Sequence, residues 1–222
     1  MDTDWCSEDV LQNALALFQT HDLPCTIFVT GSYATLQHYD SSRLEIGLHP
    51  NFNDATAAGY EAKLRALRDM YPQAEGVASH AMLSSTLILD LFKRYGFKYE
   101  RNWLVYKNPE ATAFYHYNGL LRLPIFWEDD IWFSTEPGAP FSAALLPAGR
   151  FRYIFNFHPL HLYLNTESSA HYQAFKPFQR EPEKLAGYIG KGYGARAFFE
   201  DLARHIKKHG LATGLLREFV DS

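Results

Sequence analysis

The feature that most constrains this chain is an alternation of helix-period and strand-like segments that begins within the first ten residues and then repeats. Ser7 followed by Glu8 and Asp9 is the signature of an N-cap with acids in the first turn, and Val10, Leu11, Ala14, Leu15 and Phe18 recur at helical spacing. The spacing predicts a helix from about 8 to 20. Pro24 stops it, and residues 25–31, Cys-Thr-Ile-Phe-Val-Thr-Gly, form a β-branched and aromatic run of the kind found in buried strands. A second strand is expected at Leu44–His49, then a helix from about 57 to 70 carrying Tyr60, Leu64, Leu67 and Met70. Residues 76–80 read as a weak strand, and Ser84 or Ser85 as the cap of a helix bearing Leu87, Ile88, Leu91, Phe92 and Tyr95 before a Gly96 C-cap. Strand resumes at Phe97–Tyr99. Beyond residue 100 the strand candidates are aromatic-rich, around 120–126, 131–133 and 152–157, with Pro/Gly loops near 137–149. A last helix over about 195–209 aligns Phe198, Leu202 and Ile206.

Strands alternating with helices predict an α/β fold with a mostly parallel sheet. The 222 residues show no composition break long enough to be a linker and no repeat of fixed period, so a single domain spanning 1–222 is expected. With 47% hydrophobic and only 21% charged residues there is ample apolar material for a core. A net charge of −4 with no Lys/Arg block excludes the electrostatic footprint of a nucleic-acid binder. No window approaches the roughly 20 apolar residues of a membrane span. The acidic opening Met-Asp-Thr-Asp-Trp lacks the pattern of a secretory leader, and with only Cys6 and Cys25 the expected compartment is a reducing cytoplasm.

In parallel α/β folds, chemistry collects on the loops after strand C-termini. Four groups satisfy that criterion: Asp2-Thr3-Asp4, His49-Pro50-Asn51-Phe52-Asn53, His80, and His158-Pro159-Leu160-His161. Asp and His supply oxygen and nitrogen ligands suited to zinc or another borderline divalent metal. Each also has a plainer reading. An isolated Asp-x-Asp fits acids stabilised by a helix dipole, and most of the ten histidines belong to the surface or core. In His158-Pro-Leu-His161 either ring could face a site.

The order of these pieces carries a resemblance. An acid pair ahead of a helix, then HDLPCTIFVTG, LEIGLHPNFN, SHAMLSS and FNFHPLH, is similar to the polysaccharide deacetylase (NodB-homology) family from Asp2 to about Asn165. The resemblance implies a distorted (β/α)7-type barrel. It also implies a metal-dependent hydrolase, most simply a Zn2+ enzyme, removing an N-acetyl group from an N-acetylated sugar or glycan precursor of surface-polysaccharide assembly. Asp2 then corresponds to the catalytic base, Asp4 and His49 to metal ligands, and His158 to the general acid oriented by Asp129 or Asp130. Asn53 stands where the family has a second metal-binding histidine, so either Asn53 or His80 is expected to complete the coordination. For Glu128-Asp129-Asp130 an exposed turn is the competing reading. Trp5, Trp103, Trp127, Trp132 and the tyrosines suit sugar stacking, though core packing fits most of them better.

Two departures stand out. The arginine that holds the base in many members has no counterpart at Val77-Ala78-Ser79-His80, and only Met1 precedes Asp2 where the family has a full strand. These, with Asn53, motivate a second expectation: a catalytically silent relative that binds a glycan or a biosynthetic partner. Hydrolysis of a non-sugar amide, such as a cyclic ureide, is a third within the wider superfamily.

Overall fold

The computed structural model describes residues 1–4, 6–147 and 152–220; Trp5 lies outside them. The alternation is realised as an α/β architecture. Helix α1 (Glu8–Thr20) is capped by Ser7, whose side chain accepts from the Val10 N–H, and buries Val10, Leu11, Ala14 and Leu17. Strand β1 (Cys25–Val29) pairs in parallel with β2 (Leu44–Leu48), and both are buried throughout, as apolar strands covered on two faces must be. Helix α2 (Ala57–Met70) leads to the short β3 (Gly76–Val77). Helix α3 (Thr86–Arg94), capped by Ser85, leads to β4 (Tyr99–Leu104). Next come β5 (Phe114–Tyr115) and β6 (Leu121–Ile125), giving a six-stranded sheet of order β1-β2-β3-β4-β6-β5 in which only β5 runs antiparallel.

β7 (Trp127–Glu128) and β8 (Phe155–Asn156) form a separate parallel pair, with α4 (Asp129–Thr135) directly after β7. The remaining helices are α5 (Pro159–Leu164), α6 (Ser169–Phe175), α7 (Pro182–Leu185) and α8 (Ala195–His209). Helix α5 packs between α1 and α8. Trp127 stacks on Phe198 of α8 with centroids 4.2 Å apart, and Trp132 joins them, so both tryptophans serve the core.

Two expectations are corrected. Residues 131–133 are not a strand but the middle of α4: Asp129 and Asp130 occupy a first helical turn, where acids are favoured, and Trp132 and Phe133 turn inward together. The first-strand position is not wholly empty either: an isolated parallel bridge, Asp2 to Phe28, stands there, although no strand precedes Asp2. Phe28 N donates to Met1 O (2.8 Å) and Thr3 N to Phe28 O (3.0 Å), while Asp2 N donates to Phe157 O (3.1 Å) on the other side. Three extended residues suffice because neighbours on both flanks supply the ladder.

Candidate active site

The loops that follow the strands bring the candidate acids and imidazoles together. Asp4, just after the bridge at Asp2, takes φ +34°, an unfavourable backbone region for a non-glycine residue. Its Oδ1 lies 3.2 Å from His49 Nε2 and 2.9 Å from His80 Nδ1, and its Oδ2 3.0 Å from His158 Nε2. One carboxylate therefore meets three imidazoles from three different loops. Burial raises the proton affinity of Asp4, but the hydrogen bonds from His158, His49 and His80 outweigh it and hold the carboxyl well below its ordinary range.

Asp2 is buried beside this cluster. Arg101 Nη2, from β4, donates to its Oδ1, and Asn156 Nδ2, from β8, donates to its Oδ2 at 2.9 Å. Burial pushes the Asp2 carboxyl up, yet the Arg101 charge, assisted by His49, brings it below the usual carboxylate range. Asp2 is thus an ionised acceptor held in a fixed pose.

His158 is fixed by Asp129. The ring Nδ1 lies 2.6 Å from Oδ1, and the backbone N–H donates to Oδ2 at 2.7 Å. Glu128 and Asp129 are both buried, so this segment is not an exposed turn; the carboxylate that meets His158 is Asp129, while Asp130 is half-buried. His161 faces elsewhere: its Nδ1 lies 3.0 Å from Thr166 Oγ1 and its ring packs on Phe133 and Tyr172. It still lies close enough to His158 and Asp129 for the three to make a second convergent group.

Among the described residues, Asp4, His49 and His80 present ligating atoms within 4.8 Å of one another. Asn53 stands apart, exposed on a turn in which its own N–H donates to Asn51 Oδ1 at 3.0 Å. His80 is positioned by its neighbour: Ser79 N donates to Asn102 Oδ1 (2.7 Å), and Asn102 Nδ2 donates back to Ser79 Oγ (3.2 Å). Sequence reasoning passed over Arg101, Asn102 and Asn156. The signal available was the run Glu100-Arg101-Asn102 between aromatic residues, and Asn156 between Phe155 and Phe157: polar side chains that must find partners if their strand is buried.

A carboxylate that collects three imidazoles at the C-terminal ends of parallel strands, next to a second carboxylate braced by arginine, defines an α/β protein with a candidate metal centre. The WbmS-like polysaccharide deacetylase family matches over residues 1–176, and the chain belongs to that family. A crystal structure of WbmS from Bordetella bronchiseptica, described as a polysaccharide deacetylase involved in O-antigen biosynthesis, is similar with TM-score 0.83 and 29% identity, covering 92% of this chain and 88% of that one. Looser similarities join a Mycobacterium smegmatis protein described as a polysaccharide deacetylase (TM-score 0.45, 15% identity, 93% of this chain and 80% of that one) and a 4-alpha-glucanotransferase from Thermococcus litoralis (TM-score 0.47, 11% identity, 88% and 33%). No curated protein matches.

Proposed function

We propose that this chain is a metal-dependent N-deacetylase acting on an N-acetylated sugar or glycan precursor of surface-polysaccharide assembly. The observation that carries this reading is the meeting of Asp4 with His49, His80 and His158 next to the braced Asp2. The donor set fits a divalent ion: one carboxylate oxygen and two imidazole nitrogens are the composition of a catalytic zinc site, which keeps a position open for water. His49 presents Nε2 to Asp4 at 3.2 Å, while its buried Nδ1 lies on the Asp2 side, 4.0 Å from Asp2 Oδ1. Asp4, His49 and His80 would hold the ion. When bound, it supplies Lewis acidity to the acetyl carbonyl and acidity to the attacking water.

The chain's own groups account for the proton traffic. Amide hydrolysis must take a proton from water and deliver one to the departing nitrogen. Asp2, ionised and gripped at both oxygens, accepts the first. His158 delivers the second: burial alone would lower its proton affinity, but the Asp129 carboxylate, with Asp4, raises it well above the ordinary histidine range, so the ring carries a proton near neutrality. Each of these two roles is worth roughly 10²–10⁴ in rate.

The departures that favoured a silent relative each have a counterpart in the fold. Met1–Thr3 serve for the first strand, Arg101 for the absent arginine and His80 for Asn53. The bond from Asp2 N to Phe157 O (3.1 Å) links the Phe28 bridge on β1 to the end of β8 and supports the distorted barrel the family implies. Cys6 and Cys25 are free and buried, and no described helix is long and apolar enough to cross a membrane. The test is acetate release from N-acetylated sugars by protein loaded with Zn2+, Co2+ or Mn2+. Release lost in Asp2→Asn supports the proposal; no release above that control defeats it.

A further inference from the structure

Four buried side chains form a line behind the site: Arg101, Asp2, Asn156 and Glu128. The register that pairs β7 with β8 sets Glu128 opposite Asn156. Asn156 Nδ2 donates to Asp2 Oδ2 at 2.9 Å and to Glu128 Oε2 at 3.0 Å. An amide nitrogen has two hydrogens, and both are used here. Asn156 Oδ1 has no partner among the described residues, so the orientation of this amide is set on its nitrogen side alone.

We propose that Asn156 is a positioning residue for the base Asp2, and that Glu128 in turn sets the orientation of the Asn156 amide. The inference rests on the deacetylase reading of Asp2. A carboxylate held at one oxygen can still turn about its Cβ–Cγ bond, whereas contacts at both oxygens, from β4 on one side and β8 on the other, fix its plane. Such fixing matters for a base that must take a proton along one line. Burial, with the Asp130 charge close by, keeps the Glu128 carboxyl well above its ordinary range. A neutral Glu128 accepts from Asn156 without setting a second negative charge near Asp2.

The test combines kinetics with a structure. Asn156→Leu should lower kcat by about 10²-fold with KM and bound metal unchanged, because the loss is one of alignment. Glu128→Gln, which keeps a neutral acceptor in place, should stay near wild type; Glu128→Leu should fall as Asn156→Leu does, and the double Leu variant no further. A loss expressed in KM, an additive double variant, or Glu128→Gln as impaired as Glu128→Leu overturns the proposal. In a crystal structure of Asn156→Leu the Asp2 carboxylate should be turned from its wild-type plane or split between rotamers. An unmoved Asp2 overturns the proposal too. This structural reading stands even where the wild type releases no acetate, so failure of the hydrolase reading is scored separately.

Discussion

His158 is held by Asp129 at two points, the ring Nδ1 at 2.6 Å from one oxygen and the backbone N–H at 2.7 Å from the other. A single buried carboxylate thus sets the tautomer, the rotation and the charge of the ring at once. The sign of the pH dependence follows. Since the folded value is raised, the protonated ring persists above the pH at which an ordinary histidine loses its proton, and it is lost only as pH rises through the raised value. Asp129→Asn removes the charge, so the alkaline limb of the kcat profile should move to lower pH, with kcat at pH 8 reduced by about 10²-fold. A profile whose alkaline limb stays in place would show that Asp129 does not tune the acid.

Metal content separates the two candidates for the remaining ligand. His80 Nδ1 lies 2.9 Å from Asp4 Oδ1, whereas Asn53 is exposed on its turn. His80→Ala should weaken Zn2+ binding by more than about 100-fold, since even groups behind the ligands are worth 10–100-fold. Asn53→Ala should leave it unchanged. Titration calorimetry on chelator-stripped protein reads both, and metal loss in Asn53→Ala with full retention in His80→Ala would reverse the assignment.

Arg101 and Asp2 are a buried ion pair, and breaking such a pair leaves an unpartnered charge. Arg101→Leu should therefore destabilise the fold by about 3–5 kcal/mol at neutral pH. Because the pair depresses the Asp2 carboxyl, its contribution is present above the ordinary aspartate range and is lost as pH falls; the gap between wild type and Arg101→Leu should narrow toward acid. Denaturant unfolding at pH 7 and pH 3 measures it. A gap that is the same at both pH values would mean that Arg101 acts through packing on Phe28 and not through charge.

What the sequence made legible, and what it hid, divides along local versus distant pairing. Helix α1 with its Ser7 cap, and the buried strands at 25–29 and 44–48, are written in short-range periodicity and capping. His49 and His158 could be placed because each stands within two residues of a strand end in a recognisable string. Arg101 could not, because its partner Asp2 is 99 residues away and the strand that carries it is not the one on which the family motif places an arginine. The 131–133 segment misled because two aromatics in a row satisfy strand and helix alike, and only the acids before them mark a helix start. The three-residue bridge at Met1–Thr3 has no period at all; it exists because Phe28 and Phe157 leave backbone groups for it to meet.

The last prediction concerns a glycine on β2, two residues before His49. Gly47 sits opposite Phe28 in the β1–β2 register, and a Cβ there would fall 2.5 Å from Phe28 Cε1, closer than side chains approach, and a tight 3.1 Å from Gly76 O. The Phe28 ring in turn lies under the Arg101 guanidinium, 4.7 Å from its Cζ to the ring centroid. Gly47→Ala must therefore displace the Phe28 ring, which packs on Arg101, and Arg101 is what holds Asp2. The expected cost is about 1–3 kcal/mol of stability, as for other overpacked cores, together with a fall in kcat that exceeds any change in KM. Phe28→Leu in the same chain frees space for the methyl and should recover most of the stability without restoring the full rate, since the stacking surface under Arg101 is gone. Thermal unfolding and steady-state kinetics on the two variants separate these effects, and a Gly47→Ala protein as stable and as active as wild type would show that the ring has room to move.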